Sequence, residues 1–194
     1  MIAIIDYGLG NISNVTRAIQ HLGYDVILTC NDKDVQKAEA IVLPGVGHFR
    51  DAMHSIEEKS IKDMLKNIHD KPIIGICLGM QLLFQHSAEG DISGLELVPG
   101  NIVPIQSSHP IPHLGWNELK STHPLLQNDV YFVHSYQAEM SEYVVAYADY
   151  GTKIPGVIQY RNYIGIQFHP EKSGTYGFCL LYTSDAADDM QCVD

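Results

Sequence analysis

The sequence predicts an α/β protein with a doubly wound, mainly parallel central sheet flanked by helices, and with antiparallel strands added in its second half. Three observations predict it. Apolar runs alternate with helix-spaced segments through the first half, the pattern of parallel strands joined by crossover helices. From Leu95 to Gln167 the texture changes to short β-branched and aromatic runs separated by Pro, Gly and Asn. The 194 residues, 45% of them hydrophobic, suffice for the core of one domain, and neither a repeat nor a linker interrupts them.

The elements follow in order. "MIAIID" (Met1 to Asp6) reads as a strand ending in the turn "YGLGN", and Ser13 to Leu22 as a helix through Val15, Ala18, Ile19 and Leu22, closed by Gly23. "DVILTC" is the next strand, and "AIVLPGVG" (Ala40 to Gly47) a third apolar run broken by Pro-Gly. Asp51 to Ile68 carries apolar residues at Met53, Ile56, Ile61, Met64, Leu65 and Ile68, which predicts one helix on a sheet face. "KPIIGIC" is a buried strand and "LGMQLLFQHS" the helix directly after it. "GNIVPI", "VYFVHSY", "VVAYADY", "GVIQY" and "YIGIQF" are the later strands, expected to extend the same sheet.

Charge and cysteine usage exclude several function classes. With 12 Lys and Arg against 23 Asp and Glu, the net charge of -11 repels polyanions and argues against a nucleic-acid surface. No apolar run reaches the ~18–20 residues of a membrane span, and the N-terminus lacks a signal-peptide pattern, so a cytosolic protein is expected. Cys30, Cys77, Cys179 and Cys192 form no CxxC pair, which suggests neither a disulfide framework nor a zinc site, and no metal or organic cofactor is expected. "GLG" at Gly8 to Gly10 lacks the third glycine and the acidic strand end of a dinucleotide site.

Three features sit at the carboxyl ends of predicted parallel strands, where open α/β sheets gather their ligand sites. Cys77 lies between Gly75 and Gly79 at a strand-to-helix bend; residues without bulk on either side permit a sharp turn that exposes a nucleophile. From the residues alone two readings stand for it: a buried structural cysteine, or a thiolate nucleophile. In "GIQFHPEKS" (Gly165 to Ser173), His169 and Glu171 end an apolar strand where Pro170 bars further pairing, so they can act as a base and its orienter. "LPGVGHF" (Leu43 to Phe49) has glycines that let a peptide reorient, and with the Leu78 N–H it can complete an oxyanion hole; taken singly, it is a plain turn.

"GICLGMQ" with "FHPE" resembles the class I, triad-type glutamine amidotransferases, whose fold is flavodoxin-like. "IDYGLGN", "LPGVGHF", "GICLGMQ", "PHLGWN", "YFVHSY" and "QFHPEKS" together are similar to the glutaminase subunits of imidazole glycerol phosphate synthases, over Met1 to about Gly177. The resemblance implies that Cys77 attacks the amide of glutamine to form a thioester, with His169 moving protons and Glu171 orienting it. It implies an oxyanion hole from the N–H groups of Val46 and Leu78. Gly45, Gly47, Gln81, His134, Ser135, Tyr136 and Gln137 would help to hold the substrate. It also implies a heterodimer with a (β/α)8-barrel cyclase subunit that receives the ammonia, with Asn11, Tyr131 and Lys172 on the face toward it. On the residues alone, Asn11 is a turn residue and Lys172 a solvated charge.

The domain is therefore expected over 1–177, with 178–194 an atypical tail. "FCLLYTSDAADDMQCVD" has an apolar clump followed by Asp185, Asp188, Asp189 and Asp194, unlike the amphipathic closing helix that the family implies, and reads as non-native. Two alternatives follow: an amidotransferase serving another synthase, which "PHLGWN" and "PGVGHF" weigh against, and a chain with the fold but impaired catalysis.

Overall fold

A computed structural model describes residues 1–9, 12–174 and 176–177. Its first half alternates short strands and helices: β1 (Ile2–Ile5), α1 (Ile12–His21), β2 (Val26–Thr29), α2 (Asp32–Lys37), β3 (Ala40–Leu43), α3 (Phe49–Glu58), α4 (Ile61–Lys66), β4 (Ile73–Ile76) and α5 (Leu78–Leu82). Nine further strands follow: β5 (Phe84–Ser87), β6 (Ile92–Ser93), β7 (Val98–Pro104), β8 (His113–Lys120), β9 (Asp129–His134), β10 (Tyr136–Ala138), β11 (Val144–Asp149), β12 (Lys153–Tyr160) and β13 (Tyr163–Ile166). Nine strands form one sheet in the order β2-β1-β3-β4-β13-β12-β11-β8-β9. Pairing is parallel from β2 to β13 and antiparallel from β13 to β9.

Both faces of the sheet are covered, as double winding requires. On β1, Ala3 and Ile5 join the core under α3, α4 and α5, while Ile2 and Ile4 join Val15, Ala18 and Ile19 of α1 on the other side. Consecutive strand residues point to opposite faces, so a strand buried on both reads as an unbroken apolar run. Gly23, at φ +88°, ends α1 in the left-handed region that a side chain resists. No helix among the described residues is long and apolar enough to cross a membrane.

Several expectations need correction. The single helix over Asp51 to Ile68 is two, broken at Ser60, which has φ 56°. Phe49, Ala52, Met53 and Ile56 share one stripe, and Ile61, Met64 and Leu65 would lie roughly a third of a turn away from it on a continuous helix. The break realigns both sets onto the core. "LGMQLLFQHS" is helical only to Leu82; its second half is β5, which pairs with β6 and β7, so strand partners override the local helical spacing. The short helix α2 has no apolar stripe to announce it and is set instead by Asn31, whose side chain accepts the Lys33 N–H at 2.9 Å.

The later strands do not all extend the main sheet. β7 and β10 belong to a second sheet of order β10-β7-β5-β6, and "VYFVHSY" divides at Ser135, with β9 in one sheet and β10 in the other. The Ser135 carbonyl accepts the Ile105 N–H at 2.9 Å at this division. A strand that changes sheets opens a gap beside the β4 and β13 ends. The site lies in that gap.

Candidate active site

Adjacent parallel strands deliver Cys77 and His169 to the same edge. β4 and β13 pair in register, Gly75 with Gly165 and Ile76 with Ile166, so Cys77 follows its strand by one residue and His169 by three. Cys77 turns at φ 53° and ψ -111°, and its N–H bonds the Ile166 carbonyl at 2.7 Å. A non-glycine residue held there is strained, and such strain gathers at functional sites.

The glycines around it have no room for a side chain. A Cβ on Gly79 would lie 1.8 Å from the Leu43 carbonyl oxygen, and one on Gly75 would lie 2.6 Å from the Gly79 oxygen. The backbones of β3, β4 and α5 therefore touch directly behind the sulfur.

Cys77 and His169 both line a cavity of about 330 Å³, a size suited to a small metabolite. His169 Nδ1 meets Glu171 Oε1 at 2.8 Å, with both side chains almost wholly buried. A carboxylate accepts, so Nδ1 carries the hydrogen and Nε2 is left to face the cavity, where it makes no formed hydrogen bond. Burial works to lower the proton affinity of His169, but Cys77 and Glu171 outweigh it and raise the pKa to about 9. Cys77 thus influences the imidazole by charge and proximity, although the two are not joined by a hydrogen bond of good geometry in this state.

The remaining candidates separate into those that reach the cavity and those that do not. Val46, Gly47, Leu78 and Gln81 line it, and so do His134, Ser135 and Tyr136. Gly45 lies behind the wall, where a Cβ would come within 2.7 Å of the Tyr7 hydroxyl. The Gly45 carbonyl accepts the Leu78 N–H at 3.3 Å. Because a trans peptide points its N–H opposite to its C=O, the Val46 N–H is directed away from the elbow. The two N–H groups expected to serve an oxyanion are near one another but are not aligned together here. The Tyr7 hydroxyl, fully buried, holds the Pro44 carbonyl at 2.7 Å and so fixes the strand just before this peptide. Burial, with the charge of Cys77, raises the Tyr7 pKa and keeps that donor protonated.

Gln81 points both N–H groups inward, to the Tyr136 carbonyl at 2.9 Å and to Gln167 Oε1 at 3.0 Å. Beyond Tyr136 runs a histidine chain: His134 Nδ1 to the Tyr136 carbonyl at 2.8 Å, His113 Nδ1 to His134 Nε2 at 3.2 Å, and Asn117 Nδ2 to His113 Nε2 at 3.3 Å. The carbonyl can only accept, which makes each ring donate toward it and leaves both neutral. Burial lowers the pKa of His134 to about 3, with His113 and His169 adding to the effect, and burial lowers that of His113 to about 4.

Tyr131 and Lys172 lie outside the cavity but together, the Lys172 Nζ being 5.7 Å from the Tyr131 ring. Asn11 and the tail over 178–194 lie outside the described residues. Sequence reasoning missed three residues of the site. Among the described residues Glu89 brings the one carboxylate that lines the cavity, Gln167 reaches the sulfur, and His113 supports His134. Glu89 follows an unexpected strand, so nothing in the local pattern marked it. Gln167 stood inside the quoted "QFHPEKS" and could have been tested as the polar residue that ends a buried strand.

The profile described as glutamine amidotransferase class-I matches residues 3–178. An imidazole glycerol phosphate synthase subunit HisH from Staphylococcus epidermidis is 96% identical over 181 residues, which cover 93% of this chain and 94% of that protein. The subunit of that name from Staphylococcus aureus is 62% identical over the same share of each. A crystal structure of a glutamine amidotransferase superposes with a TM-score of 0.78 at 14% identity, covering 95% of this chain and 97% of the other, and speaks to the fold alone. The chain belongs to the class-I glutamine amidotransferase family.

Proposed function

We propose that this chain is the glutaminase subunit of an imidazole glycerol phosphate synthase, hydrolysing glutamine to glutamate and ammonia for histidine biosynthesis. The observation that carries the chemistry is Cys77, held at a strained elbow on the wall that also bears His169, itself backed by Glu171. The synthase is supported by the 96% identical relative of that name.

The Cys77 sulfur gives its proton to His169 Nε2 and attacks the side-chain amide carbon. His169, held by Glu171, then protonates the departing ammonia and afterwards takes a proton from the water that opens the thioester. The tetrahedral oxygen needs the Leu78 and Val46 N–H groups at once, so the Gly45–Val46 peptide must turn over to release Leu78 and present Val46. Gly47, at φ +113° and open to solvent on its Cβ side, is the hinge that permits it. Glu89 is the counter-charge for an α-ammonium group, with Gln81 and the Ser135 segment completing the pocket.

Ammonia passes to a (β/α)8-barrel cyclase subunit in a heterodimer, and Tyr131 and Lys172 face it; Asn11, expected to do the same, lies outside the described residues. Residues 1–177 form the amidotransferase domain and 178–194 a non-native tail in this reading; the family match ends at residue 178, while the 96% identical match, over 181 residues, runs a few residues past that boundary. The test is glutamate release from glutamine, measured alone and with the cyclase subunit and its nucleotide ligand. A low rate that rises strongly with the liganded partner is expected, and no release in either condition overturns the reading.

A further inference from the structure

We propose that Gln167 is a further catalytic residue: its amide N–H stabilises the Cys77 sulfur as an anion, in an orientation dictated from across the site by the Tyr136 carbonyl. This rests on Cys77 being the nucleophile.

The polarity of a carboxamide is normally open to inversion, since its two ends have the same shape. Here the neighbours decide it. The Tyr136 carbonyl accepts from two sides, Gln81 Nε2 at 2.9 Å and His134 Nδ1 at 2.8 Å, and has no hydrogen to give. Gln81 must therefore turn its NH2 toward it. The second N–H of that group reaches Gln167 at 3.0 Å, so Gln167 must present its oxygen there. The Gln167 NH2 is left on the other side, 4.0 Å from Cys77 Sγ. That is the outer limit for an N–H···S bond to a neutral thiol. A thiolate, carrying full charge, draws the same donor in more strongly.

Gln167 is fully buried, so no water competes for the donor. Its part in the reaction conserves every atom. The Cys77 proton goes to His169 Nε2, and the sulfur electron pair then forms the C–S bond while the carbonyl π pair moves to oxygen. Gln167 neither gains nor loses a proton. It acts again at the second step, when the C–S bond breaks and the pair returns to sulfur as the leaving anion.

The alternative is that Gln167 merely gives Gln81 an acceptor. Gln167→Glu still accepts from Gln81 and offers sulfur no donor, but its charge alone also opposes a thiolate, so an unmoved midpoint there counts against the proposal while support requires the uncharged Gln167→Met to move as well. Gln167→Met removes both functions. The measurement is the pH dependence of Cys77 alkylation by iodoacetamide, located by mass spectrometry in the full chain bound to its cyclase subunit. Glutaminase kcat and KM are measured on the same samples. In both variants the alkylation midpoint is expected to move up by about one pH unit or more, and kcat to fall about tenfold, with KM changed less than about threefold. An unchanged midpoint and kcat in Gln167→Glu overturns the proposal, as does a rise in KM alone. If the wild type releases no glutamate and its Cys77 reacts no faster than Cys30, the nucleophile reading fails first and takes this one with it. Should Gln167→Met lose its near-UV circular dichroism, the uncharged Gln167→Leu takes its place.

Discussion

The Glu89 carboxylate accepts the Phe49 N–H at 3.0 Å at the start of α3 and also lines the cavity beside Gln81. Helix capping alone would explain its position, whereas substrate recognition requires its charge. Gln at this position keeps an oxygen for Phe49 and loses only the charge. We expect Glu89→Gln to raise KM for glutamine about ten- to a hundredfold with kcat little changed, read by steady-state glutamate release. Glu171 is a second case in which charge and packing come apart. After Cys77, it is the second influence that raises the His169 pKa to about 9, so the stability gained from that shift is present below the ordinary value near 6.5 and lost as pH rises through 9. Glu171→Gln keeps an acceptor for Nδ1 but removes the charge. The alkaline limb of the rate profile is then expected to shift to lower pH, and a limb that stays in place would assign Glu171 to packing alone.

The hairpin of β8 and β9 pairs His113 with His134 in register, and the chain from Asn117 to the Tyr136 carbonyl keeps both rings neutral. Their lowered pKa values reverse the sign found for His169. An unfolded chain takes up protons on these rings below about pH 6.5 while the native one does not, so stability falls as pH drops from 6.5 toward 4. Each such group contributes up to ~1.4 kcal/mol per pH unit. Urea unfolding at pH 7 and pH 5 checks it: the wild type should lose stability on acidification, and His113→Gln should lose less. This hairpin was only half legible. "VYFVHSY" shows its strand character plainly, but β8, "HLGWNELK", mixes polar and apolar residues and declares itself only through its partner. The parallel strands were legible because burial on both faces leaves a continuous apolar run. The cysteine elbow was legible because backbone contact excludes every residue but glycine at positions 75 and 79. The inward polar chain was not, because sequence does not say which polar groups share a cavity when strands change sheets.

At the scale of the molecule, the outer face of that same hairpin is the candidate surface for the partner. Alternation along β8 sends His113 inward and leaves Leu114 and Trp116 outward, 59% and 58% exposed. Trp116 packs edge-on against Tyr131 at 5.9 Å, and Tyr131 in turn lies under Lys172. Two neighbouring large apolar side chains with a tyrosine and a lysine make a patch of the composition that interface centres favour. It is one peptide away from His169, because the Tyr131 carbonyl accepts the His169 N–H at 2.9 Å while the Tyr131 N–H bonds Ser173 Oγ at 3.1 Å. A short covalent and hydrogen-bonded path therefore joins this face to His169. Trp116→Ala tests the surface. Because the side chain is exposed in the isolated chain, stability should change by no more than ~0.5 kcal/mol, while the Kd for the cyclase subunit should rise at least about tenfold by titration calorimetry. An unchanged Kd would move the interface off the hairpin and leave the Tyr131 link to His169 without a partner to act through it.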